Sequence, residues 1–226
     1  MRVLVGSASG PSDLAGLYAA PRTPWLRVNM VSSVDGAATG ESGKSGSINN
    51  AADKVVFDTL RSLADAVVVG AGTLRDEGYR PIAGTPLVAV SRRGSVPPRL
   101  RDAAPGSVLM ATCAAAEGLA EARSVLGAEH VLVAGDDSVD LALVVAALHD
   151  RGLTQLLSEG GPTLLASLLA ADLVDELDAT VVPRLVGGSG PRIVTGPPVE
   201  VPLTLHTLLE EGGTLLARWL TPRGAD

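Results

Sequence analysis

This sequence of 226 residues contains one cysteine, Cys113, and only 2% aromatic residues. A lone cysteine excludes an intrachain disulfide framework and any cysteine-rich zinc site, and Cys113 reads as a small buried hydrophobe. With so few rings, Val, Leu, Ile and Ala must fill the core, a composition that suits strands buried on both faces. Positive charge is in deficit too. The formal net charge of -7 argues against a nonspecific binder of nucleic acid or anionic membrane, since both need clustered Lys and Arg. No apolar stretch approaches membrane-span length. The first ten residues carry one basic residue and a short apolar run, too little for a signal-peptide core. A reducing, cytoplasmic setting is expected.

Missing motifs narrow the chemistry further. There is no G-x-x-x-x-G-K-[ST] loop, which argues against ordinary nucleotide hydrolysis, and neither G-x-S-x-G nor H-E-x-x-H occurs. The histidines, His130, His149 and His206, are scattered and read as structural; no metal site is expected.

What is present is 46% hydrophobic and alternates in character. Valine-rich strand candidates fall at 25–31, 66–69, 87–91, 108–111, 130–134 and 153–158. Between them, 51–63 places Val55, Val56, Thr59, Leu60 and Leu63 on one helical face. Segments 115–126 and 139–150 read the same way, and 162–170 opens with a proline suited to a first helical turn. The alternation predicts an α/β fold with a largely parallel sheet flanked by helices. In the last third, 177–182, 203–208 and 214–220 are strand-like without intervening helices and are expected as antiparallel additions at one edge. No linker stands out, so one domain is expected over 1–226, with 1–24 as a leading segment and 25–220 as its core.

Ligands of such sheets bind beyond the carboxyl ends of the strands, and four of those ends carry unusual residues. Ser158-Glu159-Gly160-Gly161-Pro162-Thr163-Leu164 joins a strand to a helix. Its glycines admit close backbone approach, and the free N–H groups of the helix start can receive a phosphate. An ordinary turn would need those glycines only for their dihedrals. Glu159 suits a donor-rich ring or a proton relay better than an anion, though it would equally fit a solvated loop.

Val69-Gly70-Ala71-Gly72-Thr73-Leu74-Arg75 begins like a dinucleotide fingerprint but has Arg75 where the third glycine belongs. Gly70 and Gly72 can still line a cofactor, with Thr73 donating to phosphate and Glu77 facing substrate. Met30-Val31-Ser32-Ser33-Val34-Asp35-Gly36 leads into a glycine- and serine-rich stretch, 37–47, which reads as a mobile lid or as a plain surface loop. Ser91-Arg92-Arg93 offers the hydroxyl and cations that distinguish NADPH from NADH, or two solvated arginines.

Taken in order, Met30 to Gly36, Val67 to Glu77, Glu159 to Leu164, Leu173 to Leu177 and Pro183 to Pro191 resemble the pyrimidine reductase domain of the riboflavin pathway. That is the C-terminal domain of bifunctional deaminase-reductases, with a dihydrofolate-reductase-like fold. The resemblance begins near Trp25 and covers most of the chain. It implies NADPH-dependent reduction of the ribose of a phosphoribosylamino-pyrimidine, such as 5-amino-6-(5-phosphoribosylamino)uracil, with hydride delivered to the sugar C1′. It places Glu159 on the substrate, Gly161, Pro162, Thr163 and Leu164 around the cofactor pyrophosphate, and Val31, Ser47, Thr73 and Ser91 along the cofactor. Ser45 and Arg61 would hold the substrate, Arg61 by its phosphate, and Glu77 stands where the family has an aspartate. A homodimer is implied.

The chain departs from the family in two ways: Asn29 stands where many members have a lysine near the reacting sugar, and the deaminase signature H-x-E with P-C-x-x-C is missing. A second enzyme reading is reduction of dihydrofolate or another pterin, with Asp53 on the ring; Asp53 also suits a helix first turn by its charge alone. A third is an NADPH-binding module without catalysis.

Overall fold

The computed structural model describes residues 1–6 and 13–225. Short apolar runs bounded by turn residues become the central strands. In Ala66–Gly70, successive side chains alternate between the two faces of the sheet, so Val67 and Val69 join one buried cluster while Ala66 and Val68 join the other. The elements follow in chain order as β1 (Arg2–Val5), α1 (Leu14–Leu17), β2 (Trp25–Ser33), α2 (Ala51–Ser62), β3 (Ala66–Gly70), α3 (Ala71–Asp76), β4 (Leu87–Val90), β5 (Val108–Thr112), α4 (Leu119–Leu126), β6 (Val131–Val133), α5 (Leu141–His149), β7 (Gln155–Ser158), α6 (Pro162–Ala170), β8 (Glu176–Val182), β9 (Thr204–Glu211), β10 (Thr214–Leu220) and α7 (Pro222–Ala225).

All ten strands form one sheet in the order β1-β9-β10-β8-β2-β7-β3-β4-β5-β6. From β8 to β6 every neighbouring pair is parallel, whereas β10 and β9 add antiparallel beyond β8. The expectation of antiparallel additions therefore holds for β9 and β10 but fails for β8. That strand runs parallel to β2 from Arg27↔Glu176 to Ser33↔Val182, because the helix α6 carries the chain across the sheet before it. Strand β1, not foreseen, closes the far edge against β9, and Tyr18 of the leading segment is fully buried.

Two apolar layers cover the sheet. On one face Val56 and Leu60 of α2 pack with Tyr18, Val67, Val69, Leu87 and Met110. On the other, Leu165 and Leu168 of α6 pack with Val28, Val68, Val88 and Leu109. Truncating a residue such as Leu60, which is fully buried, removes about 2–5 kcal/mol. The face foreseen for 51–63 is rotated: Ala52, Asp53, Val56 and Leu60 point inward, while Val55 is 48% exposed. The N-cap Asn50, which accepts from the Asp53 amide at 3.1 Å, sets that phase. Helix α4 begins at Leu119, later than predicted, since Gly118 donates to Arg93 O at 2.9 Å and its contact with Gly94 leaves no room for a Cβ.

A buried polar cluster lies on the α2 side of β2, β8 and β10. Glu176 accepts from Trp25 Nε1 at 2.9 Å and from Arg218 Nη2 at 2.8 Å, with Arg27 at 3.7 Å. Asp178, next along the same face and level with Asn29, has its carboxyl held well above the usual range by burial and by Glu176. Among the described residues no helix is long and apolar enough to cross a membrane, and no group of three or more His, Cys, Asp or Glu could hold a metal. Cys113 is buried, with its thiol 3.3 Å from Arg92 O.

A candidate active site at the carboxyl ends of the strands

Strand β7 lies between β2 and β3, and the turn that follows it is pressed against both neighbours. The Glu159 amide donates to Val68 O at 3.1 Å, and the Gly70 amide donates to Gly160 O at 2.8 Å. Gly160 has φ +78, and a Cβ there would lie 2.9 Å from Met30 Sδ; a Cβ on Gly161 would collide with Thr73 Oγ1. Both glycines are therefore demanded by contact, the first by its dihedral as well. The peptide between them is cis. Gly161 is the N-cap of α6 with no side chain capping it, and Pro162 occupies the first turn, which leaves backbone donors facing the cleft.

Two clefts meet at Thr163. The first, about 750 Å³, is lined by Gly70, Gly72, Arg75, Ser91, Arg92, Arg93, Thr163 and Leu164. Its far end is cationic, and the buried Ser91 hydroxyl there accepts from the Gly94 amide at 3.1 Å. The second, about 300 Å³, is lined by Asn29, Val31, Ser45, Asp53, Thr73, Glu77, Tyr79, Glu159, Gly161, Pro162 and Thr163. Past Phe57, Glu77 and Tyr79 it opens into an outer vestibule of about 520 Å³ that reaches Arg61 and Arg80.

Charge in the inner cleft is highly organised. Arg61 donates to both Glu159 oxygens, Nε at 2.6 Å and Nη2 at 2.8 Å, and Tyr79 Oη donates to Glu159 Oε2 at 2.7 Å. The guanidinium also stacks 4.2 Å above the Phe57 ring. Burial and the adjacent carboxylate push the Tyr79 phenol well above its usual range. Thus Arg61, read from the sequence as a substrate-phosphate ligand, gives two of its N–H donors to Glu159 and also lines the outer vestibule. Glu77 accepts from the Ser45 amide at 2.7 Å. Asp53 is 2% exposed; burial raises its pKa against the opposing hydrogen bond from Thr180.

Most residues singled out from the sequence converge on these clefts. Ser47 does not line them: its hydroxyl donates to Lys44 O at 2.6 Å and accepts from the Gly40 amide at 3.0 Å, fastening its own loop. Gly160 supports the wall from behind. The stretch expected as a lid is tied down at several points. Ala38 donates to Pro191 O at 2.8 Å, Arg184 Nη1 to Ser47 O at 2.9 Å, and the Val186 and Gly187 amides to Asp35. Hydrogen bonds from Ser33 and from those two amides hold the Asp35 carboxyl at about 2. Sequence reasoning missed Tyr79 and Phe57. Their signal was rarity, since a chain with so few rings has placed two of them around one arginine.

The family described as the RibD C-terminal domain matches residues 24–217. The 2,5-diamino-6-ribosylamino-4(3H)-pyrimidinone 5′-phosphate reductase of Archaeoglobus fulgidus is 32% identical over 193 residues, covering 76% of this chain and 87% of that protein. A crystal structure of a pyrimidine reductase-like protein from Corynebacterium diphtheriae superposes with a TM-score of 0.78 at 26% identity, covering 88% of this chain and 92% of the other. A riboflavin biosynthesis reductase of Saccharomyces cerevisiae shares the fold, with a TM-score of 0.67 at 17% identity, over 88% and 90% of the two chains. The architecture is the α/β fold of these reductases, with antiparallel strands added from the C-terminal end.

Proposed function

The chain belongs to the RibD C-terminal domain family, and on that premise we propose that it is an NADPH-dependent reductase of a phosphoribosylamino-pyrimidine in riboflavin biosynthesis. One observation carries the reading. A long cleft with a glycine wall and a cationic end meets a short, carboxylate-lined cavity at Thr163, the geometry needed to bring a dinucleotide and a polar ring edge to edge.

The residues fit the cofactor. Gly161, Thr163 and Leu164 present backbone donors for the pyrophosphate, and the clash that a Cβ on Gly161 would make with Thr73 shows how closely that wall is packed. Ser91, Arg92 and Arg93 supply hydroxyl and charge for a 2′-phosphate. When bound, the nicotinamide supplies hydride for the sugar C1′. The protein supplies position and charge. Glu159, whose oxygens are occupied by Arg61 and Tyr79, is a fixed acceptor that orients the sugar. Glu77, with a single bond from the Ser45 amide among the described contacts, is the freer carboxyl to pass a proton to the opening ring. Asn29 hydrogen-bonds the sugar where other members use a lysine, and Ser45 steadies the substrate from the loop side. The working assembly is a homodimer in the cytoplasm.

Mixing the protein with NADPH and the phosphoribosylamino-pyrimidine, and following nicotinamide absorbance together with product mass, tests this. Loss of NADPH with a two-hydrogen gain on the substrate is expected. Binding of NADPH with no turnover would instead mark a cofactor-binding module. A second reading, reduction of a pterin, is favoured by Asp53, a buried carboxyl facing the cavity that suits the aminopyrimidine edge of such a ring. Turnover of dihydrofolate but not of the ribosylamino-pyrimidine would establish it.

A further inference from the structure

Behind the floor of the inner cavity lies a group of buried acceptors with too few donors. Asn29 of β2 and Asp178 of β8 are neighbours in register on parallel strands. Val28 and Leu177, which precede them, belong to the apolar layer on the α6 side, so both polar side chains project from the opposite face. Asn29 is 8% exposed and lines the cavity, whereas Asp178, 2% exposed, lies behind it. Asn29 Oδ1 and both Asp178 carboxyl oxygens are buried without a hydrogen-bond donor.

The charged groups around Asp178 decide where a proton belongs. Arg218 of β10 and Trp25 of β2 donate to Glu176 Oε2, and Arg27 Nη1 stands 3.7 Å from Glu176 Oε1. Tyr18 of the leading segment faces the same two carboxyls, His206 of β9 feels Arg218 and Glu176, and Asp53 of α2 meets Thr180, next along this face of β8. Glu176, ringed by donors, is thus the ionised carboxylate. No lysine or arginine pairs with Asp178 among the described residues. Burial and the neighbouring Glu176 charge keep it protonated, so it brings the one hydroxyl that the group lacks. A buried acceptor left unmatched is a standing penalty, and that hydroxyl relieves it.

We propose that Asp178 is a positioning residue: its carboxyl hydroxyl donates to Asn29 Oδ1 and thereby turns the Asn29 amide N–H groups into the inner cavity. This rests on the reading above, in which Asn29 meets the substrate sugar. A side-chain amide carries an acceptor at one end and two donors at the other, and without an anchor it can flip to present either. Held at its oxygen by a donor from behind, Asn29 presents only nitrogen. A fixed set of N–H donors then stands where many family members have those of a lysine. Asp178 achieves this without touching substrate.

The experiment follows NADPH-dependent reduction of the phosphoribosylamino-pyrimidine by the native protein, Asp178→Asn, Asp178→Ala, Asn29→Ala and the double variant Asn29→Ala with Asp178→Ala. Asp178→Asn keeps a donor at that place and should retain the native kcat within about twofold. Asp178→Ala should lower kcat about tenfold, the size of one lost hydrogen bond, with KM for NADPH unchanged. In the Asn29→Ala background the same substitution should lower kcat no further, because the group it positions is gone. A purely structural role would cost activity equally in both backgrounds; that result, or loss of activity in Asp178→Asn, overturns the proposal. If the native protein does not turn over, the proposed reaction fails, and two readouts still decide the contact. The infrared difference spectrum of native protein minus Asp178→Asn at neutral pH should show the C=O band of a protonated carboxylic acid. Asp178→Ala should also lower Tm less in the Asn29→Ala background than in the native one. Absence of that band, or equal Tm shifts, the result expected if the hydroxyl is spent on Glu176 instead, refutes the role of Asp178.

Discussion

Arg61 grips Glu159 with both ends of its guanidinium fork, joining the last turn of α2 to the end of β7 across 98 residues of sequence. With the Glu159 side chain 2% exposed and that of Arg61 26% exposed, loss of either partner strands a charge in a poorly solvated place. Arg61→Ala should lower stability by about 3 kcal/mol and kcat by more than about tenfold. Urea melts and steady-state rates on one preparation check both. A variant with native stability and native kcat would show the pair to be dispensable.

On the proposed function, exposed Arg80 at the rim of the outer vestibule that Arg61 also lines is placed to hold the substrate phosphate. Arg80→Ala is expected to raise KM for the phosphorylated substrate about tenfold, the size of one lost charge-assisted contact. It should leave KM for the dephosphorylated compound unchanged. Equal effects on the two substrates would remove Arg80 from that role.

At the turn after β7, Gly161→Ala should destabilise by about 1–3 kcal/mol through overpacking against Thr73 Oγ1. Combining it with Thr73→Ala should recover much of that loss, because the hydroxyl is the atom in the way. Thermal melts of the two single variants and the double variant form a cycle whose coupling measures the contact. Simple additivity would contradict it.

At the cationic end of the long cleft, Arg92→Ala should weaken NADPH about tenfold, the effect of one charged contact to phosphate. NADH, which has no 2′-phosphate, should be unaffected. The ratio of the two dissociation constants is the diagnostic, and an equal loss for both cofactors would place the 2′-phosphate elsewhere.

A further variant probes pH. Burial and Glu176 raise Asp178, so the native protein keeps a proton that the unfolded chain releases above the ordinary value of 3.8. Native stability from this group is complete below 3.8 and is lost as pH rises through the elevated native value. Asp178→Asn removes the titration while keeping the shape, so it should melt higher than the native protein near neutral pH, with the gap closing on acidification toward about pH 4. A gap that stays constant with pH would mean that the native carboxyl is ionised throughout.

How much of this was legible in the sequence depended on whether local pattern or distant contact decided each feature. The buried strands β3, β4 and β5 and the helix α6 were readable because apolar runs and a first-turn proline act locally. The direction of β8 was not, since Leu177 and its neighbours look the same whichever way they pair, and only the crossover through α6 settles it. Likewise the inward phase of α2 turned on the Asn50 cap, a side-chain choice invisible to hydrophobic periodicity. At the site, Glu159 and the paired glycines stood out by composition. The use to which Arg61 is put could not be read, because Glu159 is far away in sequence and Tyr79, its other partner, carried no motif.

The position of β7 also has a bearing on how the protein comes into being. It parts β2 from β3, so these two earlier strands, which flank it in the finished sheet, cannot settle into their native spacing until Gln155–Ser158 has been made. A chain still growing on the ribosome therefore holds a gap where the Glu159 turn belongs and cannot assemble either cleft before most of its length has emerged.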